Sequence, residues 1–178
     1  MQELYRINPD IVAWVVIEGS DVNYPVVQTD NNEKYLKTTF EGSNNPSGCI
    51  FIDADNRADL SDYNTVIYGH NMRDGTMFGL LTHYQRADYL KKHPFIRFST
   101  LWEEEEYVVF AVVNASVNPK DERFVSFFTH PTFSSDQEFE AYISRLKALS
   151  CQKTYISVKP GDALLTLCTC VGDDRLNR

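Results

Sequence analysis

Ala163-Leu164-Leu165-Thr166-Leu167-Cys168-Thr169-Cys170 is an apolar run that meets the turn-forming residues Gly172-Asp173-Asp174 almost at once. A short apolar run bounded by turn residues reads as a buried strand, and it leaves Cys170 at the strand's terminus. Working outward, Cys49-Ile50-Phe51-Ile52 and Thr65-Val66-Ile67-Tyr68 are runs of the same kind, bounded by Gly, Asp and Asn. Val22 to Gln28 reads as a further strand, in which Pro25 points to an edge or bulge position because proline brings no N–H to a ladder. Phe95 to Phe98, a long Glu106 to Val117 and Thr154 to Val158 complete the set. Eight or so short strands with interspersed helices predict a mainly β chain closed into an eight-stranded barrel, with short flanking helices and one longer helix before the last two strands.

Asn8-Pro9-Asp10 has the form of a helix start, an Asn cap followed by Pro at the first helical position, with about one turn over Ile11 to Trp14 before Val15-Val16-Ile17 extends. Short helices are expected at Asn32 to Leu36, Met77 to Tyr84 and Arg86 to Lys92, the last stopped by His93-Pro94. The longer helix is capped by Ser134 or Ser135. Phe139, Tyr142, Ile143, Leu146 and Leu149 then recur at helical spacing. The acidic run Glu103 to Glu106 reads as a solvated hairpin turn.

The chain has 178 residues, 43% of them hydrophobic and 24% charged, with no repeat, linker or low-complexity tract, so residues 1–178 are expected to form one domain. Its apolar runs, such as Val12 to Ile17 and Val108 to Val113, fall far short of the roughly 18 to 20 residues that span a bilayer. A net charge of −8 would repel a phosphate backbone, which argues against nucleic acid as a partner. The N-terminus lacks the pattern of an export signal. The four cysteines, Cys49, Cys151, Cys168 and Cys170, show neither CxxC nor paired Cys/His spacing, so no metal or cofactor is implied. Cys168 and Cys170, two apart in a strand, lie near the limit of disulfide reach and are read as unpaired.

Three positions are candidates for chemistry. Cys170, at a strand end, is placed where a thiol nucleophile meets substrate; the competing reading is a core cysteine. Val66-Ile67-Tyr68-Gly69-His70-Asn71-Met72 is again a strand running into polar residues, so His70 stands at a strand end from which an imidazole can reach a thiol. His83, His93 and His130 have no such context. Arg175 and Arg178 follow the cysteine closely, and a guanidinium beside a thiolate lowers its pKa and holds a developing oxyanion. Spacing alone does not bring the three groups together.

Thr166-Leu167-Cys168-Thr169-Cys170 resembles the TLxTC signature of the sortases, the cell-wall transpeptidases of Gram-positive bacteria. Tyr68-Gly69-His70-Asn71-Met72 with Gly75, Met77 and Phe78 resembles their class B subgroup. Ile7-Asn8-Pro9-Asp10 with Trp14, Val22 to Gln28, Tyr35-Leu36, Phe40 and Gly48 to Asp53 look like the same subgroup in the same order. The resemblance implies a nucleophile at Cys170, a general acid or base at His70, and an oxyanion-stabilising arginine at Arg178, with Arg175 the alternate. It also points to Val171, whose N–H is a second oxyanion donor, and to Thr169, Cys168 and Asn71 as substrate-binding positions. Class B members often carry serine where Cys168 stands. The implied partners are a sorting-motif peptide of secreted surface proteins or pilins, cleaved after Thr, and an amine acceptor on a peptidoglycan precursor. A pilin polymerase acting through lysine and a catalytically silent peptide-binding barrel are the alternatives. The segment Asn114 to Ser157 would flank the substrate groove, with Phe124, Phe127 and Phe128 either lining it or packing in the core. The family works at the extracellular face of the membrane. An N-terminal anchor and the closing strand of the barrel are expected outside residues 1–178.

Overall fold

Ile11-Val12-Ala13-Trp14-Val15-Val16 alternates buried and half-buried side chains, the period-two signature of a strand with one face on a core. It is strand β1 (Ile11–Val16), and no helix starts at Asn8. Helix α1 (Gln2–Ile7) instead ends there, with the Asn8 N–H donating to the Leu4 carbonyl at 2.9 Å. The Asn8 side chain is taken by tertiary contacts. Its Oδ1 accepts from the Asp10 N–H, while its amide donates to the Tyr35 hydroxyl at 2.8 Å and the Phe40 carbonyl at 2.9 Å. Asn8 is a clamp between segments, and only its local turn at Asp10 was available to sequence reading.

The computed structural model describes residues 2–100, 102–126 and 132–169. Within them β1, β2 (Asn23–Val27), β3 (Ile50–Ile52), β4 (Asn64–Tyr68), β5 (Phe95–Thr100), β6 (Glu104–Val108) and β7 (Leu164–Cys168) form one mainly β sheet in the order β6-β5-β1-β2-β3-β4-β7, a nearly closed barrel. Two pairings are parallel, β2 with β3 and β4 with β7; the rest are antiparallel. Pro25 lies inside this sheet, opposite Trp14, but ahead of Val26 and Val27, where β3 begins to pair. At that residue the strand is locally an edge, and the missing N–H costs no ladder bond.

Seven strands stand among the described residues where eight were expected. After Val108 the chain leaves the ladder: the Val112 N–H donates to the Ser150 hydroxyl, the Cys151 N–H to the Val112 carbonyl, and the Thr154 hydroxyl to the Phe110 carbonyl. The long strand expected over Glu106 to Val117 thus ends at Val108, and its remainder and the strand expected over Thr154 to Val158 are two irregular segments that satisfy each other's polar groups. The hairpin turn lies earlier than expected, where the Thr100 N–H donates to the Glu103 carbonyl. Glu104, Glu105 and Glu106 belong to β6, with Glu106 facing Arg97 across the ladder.

Helix α2 (Ala87–Lys92) follows a 3₁₀ helix over Gly79–Gln85, and α3 (Asp136–Leu149) is the long helix, capped by the Ser135 hydroxyl accepting from the Glu138 N–H. Among the described residues α3 precedes one strand, β7. It buries Phe139, Tyr142 and Ile143 against Val125 and Leu164. The main core gathers Ala13, Val15, Val26, Ile50, Ile52, Ile67 and Phe78 inside the curled sheet.

The start of β1 is fastened by a polar clamp. Asp10 accepts from Lys34 Nζ at 2.5 Å and from the Tyr35 hydroxyl at 2.8 Å, which ties the 3₁₀ turn Lys34–Leu36 to the start of β1. Burial raises the Asp10 pKa, but the hydrogen bonds from Lys34 and Tyr35 outweigh it and hold the carboxyl below its ordinary value. A carboxyl depressed in this way stabilises the fold above its unfolded pKa, and that contribution is lost as pH falls through the carboxylate range.

Phe78 is fully buried, and its truncation leaves a ring-sized void beside Ile50 and Gly69. Phe78→Ala is expected to cost about 3–5 kcal/mol in urea unfolding monitored by circular dichroism. Asp10→Asn is expected to lower the urea midpoint at pH 7, and the difference from wild type should shrink as pH is taken below about 4. A pH-independent difference would show that the clamp does not act through the ionised carboxylate.

Candidate functional site

The site is built where β4 and β7 end together. Their parallel register runs Asn64↔Leu164, Thr65↔Leu165, Val66↔Thr166, Ile67↔Leu167 and Tyr68↔Cys168. Two bonds extend the pairing past the ladder: the Gly69 N–H donates to the Cys168 carbonyl at 3.1 Å, and the Thr169 hydroxyl donates to the Gly69 carbonyl at 2.9 Å. Gly69 passes so close to the core that a Cβ there would lie 2.7 Å from the Phe78 ring, so the chain turns off the sheet without a side chain at that point.

His70 follows. Its carbonyl accepts from the Phe78 N–H at 3.0 Å, and Asn71 pairs antiparallel with Met77, which closes the loop after the histidine. The ring is half-buried, with Nε2 2.7 Å from the Leu36 main-chain carbonyl. His70, Gly69, Cys168 and Thr169 share one cleft of about 1750 Å³, lined on its two sides by the sheet's edge strands β6 and β7. Asn71 is exposed and outside the cleft lining. Thr169 spends its hydroxyl on Gly69, within the protein.

Cys170, Val171, Arg175 and Arg178 lie outside the described residues, as do Phe127, Phe128 and His130. Phe124 is half-buried and lies away from the cleft, whereas Asn114 to Val117 and Ile156 to Val158 line it. His83 and His93 are occupied by structure: His83 stacks edge-on to Tyr89, and His93 Nδ1 lies 2.7 Å from the Glu18 carbonyl. Cys49 is buried beside the Pro25 carbonyl, and burial pushes its thiol up to about 12, which leaves it a thiol at any relevant pH. Cys151 is exposed and outside the cleft.

Two features escaped sequence reading. The Tyr68 hydroxyl donates to the buried Asp53 carboxylate at 2.5 Å, while its ring lies tilted on Phe51 with centroids 5.3 Å apart, so the cleft wall next to His70 is fixed at both ends of that ring. Leu36 contributes a main-chain carbonyl to His70. Side-chain patterns carry no signal for such a contact; Gly48, set among the quoted motifs, was the one residue that could have pointed to it. Among the described residues no three His, Cys, Asp or Glu side chains converge as a metal site. No helix among them is long and apolar enough to cross a membrane.

Residues 15–178 match the Sortase domain family. Sortase B of Listeria monocytogenes is 31% identical over 170 residues, which covers 96% of this chain and 66% of that protein. The chain therefore spans just under two thirds of that relative's length. Among solved structures, a Staphylococcus aureus sortase B–substrate complex superposes with a TM-score of 0.86 at 29% identity, covering 97% of this chain and 77% of that one. A sortase B complexed with triglycine gives a TM-score of 0.86 at 31% identity, covering 96% and 76%. The family match, the identities and the superpositions agree, and the chain belongs to the sortase family, in its class B branch.

Proposed function

We propose that this chain is the catalytic domain of a cysteine transpeptidase that cleaves a sorting-motif peptide after Thr and transfers the acyl group to an amine. The observation that carries the reading is the in-register parallel pairing of β4 and β7, extended by the Gly69 and Thr169 bonds. It brings His70 beside Cys168 and Thr169 at the end of β7, and Cys170 is the next residue in the sequence. The related substrate and triglycine complexes support a peptide donor and a primary amine acceptor.

In this reading the Cys170 thiolate attacks the Thr carbonyl carbon and forms a tetrahedral oxyanion. Arg178, with Arg175 the alternate, and the Val171 N–H stabilise it. Collapse breaks the peptide C–N bond, His70 gives its proton to the leaving amine, and a thioester remains on Cys170. The incoming amine then attacks the thioester, loses a proton to His70 and expels the thiolate. Thr169 and Cys168 border the bound peptide, Asn71 meets it only where it leaves the cleft, and the span from Asn114 to Ser157 supplies selectivity along the cleft. The acceptor is an amine of a peptidoglycan precursor, and the enzyme works at the extracellular face of the membrane, held by an anchor outside residues 1–178.

Labelling with a methanethiosulfonate reagent followed by mass analysis is expected to modify wild type rapidly and to lose that fast adduct in Cys170→Ala. Incubation with a sorting peptide and triglycine is expected to give the ligated product with wild type. The rate should drop by at least about 10²-fold in His70→Ala. Equal labelling of wild type and Cys170→Ala would remove the nucleophile from this scheme.

A further inference from the structure

His70 has one ring nitrogen already spoken for. Nε2 lies 2.7 Å from the Leu36 carbonyl oxygen, and a carbonyl only accepts, so the proton of that bond resides on Nε2. The neutral imidazole then offers its lone pair at Nδ1 alone.

The carbonyl is held from three directions. The Leu36 N–H donates to the Glu33 carbonyl at 3.2 Å, which closes the 3₁₀ turn. The Tyr35 carbonyl, one residue before, accepts from the Cys49 N–H at 3.0 Å, and the Tyr35 hydroxyl bridges Asn8 and Asp10. The third constraint is steric. Gly48 adopts φ +59° and lies against this turn so closely that a Cβ there would overlap the Tyr35 carbonyl oxygen and sit 2.9 Å from the Leu36 oxygen, the atom that faces His70. Only a glycine lets the Gly48–Cys49 segment hold the turn without pushing the carbonyl off the ring.

We infer that the Leu36 main-chain carbonyl, fixed by Gly48 and by the Asn8–Tyr35–Asp10 clamp, is the positioning group for His70: it holds Nε2 protonated and directs Nδ1 to the reaction as the nitrogen that gives and takes protons. The inference rests on the transpeptidase reading for the word reaction, but not for the geometry. In peptide-bond cleavage Nδ1–H of the imidazolium donates its proton to the leaving amine, and in transfer neutral Nδ1 takes one from the incoming amine. Nε2–H stays bonded to Leu36 through both half-reactions, so the proton count of the ring changes at one atom.

The test is long-range ¹H–¹⁵N spectroscopy of the ¹⁵N-histidine-labelled full chain at a pH where the imidazole is neutral. The His70 signals are assigned among the four histidines by their loss in His70→Gln. Expected in wild type are a pyrrole-type Nε2 with a slowly exchanging, downfield proton and a pyridine-type Nδ1. Gly48→Ala is expected to broaden or shift that Nε2 proton and to lower kcat/KM for sorting-peptide cleavage by about 10 to 10²-fold. Gly42→Ala is the control, because Gly42 also has a positive φ, +85°, with nothing within 4 Å of an added Cβ. It carries the same backbone strain and should leave the His70 signals in place. Tyr35→Phe keeps the ring and removes the clamp hydroxyl, and is expected to speed exchange of the Nε2 proton; it decides the matter if Gly48→Ala does not fold. A wild-type His70 with its proton on Nδ1, an Nε2 proton exchanging as fast as in a free imidazole, or an unchanged Nε2 signal in folded Gly48→Ala and Tyr35→Phe would each overturn the inference. Expected spectra from a protein that cleaves no sorting peptide would sink the transpeptidase reading and leave the positioning of His70 standing.

Discussion

The parallel pairing of β4 with β7 is the constraint on which the rest of the molecule depends. Parallel neighbours cannot be joined by a tight hairpin, and here everything from Gly69 to Ala163 intervenes, including β5, β6 and α3. Closing so long a loop costs only slowly more entropy than closing a short one, but the strands must still find a unique register. A slip of one residue would turn every side chain of β7 to the opposite face. Polar bonds pin the register at both ends. The Thr166 hydroxyl donates at 2.7 Å to Oδ1 of Asn64, a fully buried side chain, and the Thr169 hydroxyl donates to the Gly69 carbonyl, 100 positions away in the chain. Leaving a buried acceptor such as the Asn64 oxygen unmatched costs about 1–3 kcal/mol, so a slipped register is penalised where apolar packing alone would tolerate it.

This arrangement also shows why the cleft lies where it does. With β4 and β7 locked, the outermost strands of the sheet among the described residues are β7 and β6, and both line the same space. The chain after β6 does not extend the ladder. It spends its polar groups on the stretch after α3, through Ser150 and Thr154, and so forms a wall beside the cleft instead of a strand across it.

Much of this was legible from side-chain chemistry, and the rest was not, for identifiable reasons. Apolar runs bounded by turn residues located β3, β4, β5 and β7, and helical spacing with a serine cap located α3, because those elements are chosen by local patterns that burial then reinforces. The errors fell where tertiary contacts decide. Asn8-Pro9-Asp10 carries the letters of a helix start, yet the Asn8 amide is consumed by Tyr35 and Phe40, distant in sequence. Glu106 to Val117 has the apolar content of a long strand, yet the strand stops at Val108 because its continuation pairs with the segment after α3. At the site, His70 was legible from its strand-end position, while its partner was not, since a main-chain carbonyl leaves no mark in a sequence.

The nature of that partner has a consequence for how the site manages charge. Two carboxylates beside the 3₁₀ turn are engaged elsewhere: Asp53 accepts from Tyr68, and Asp10 is held by Lys34 and Tyr35. A carboxylate against an imidazole supplies both direction and a negative charge, and the charge favours the protonated ring. A carbonyl supplies direction without a formal charge. In a reaction whose two halves ask the same ring first to give a proton and then to take one, a fixed orientation keeps the same nitrogen at the reacting groups in both. The burden of precision then falls on the backbone, and it is met by a glycine: Gly48 is placed so that even one added methyl group would press on the carbonyl that aims the ring.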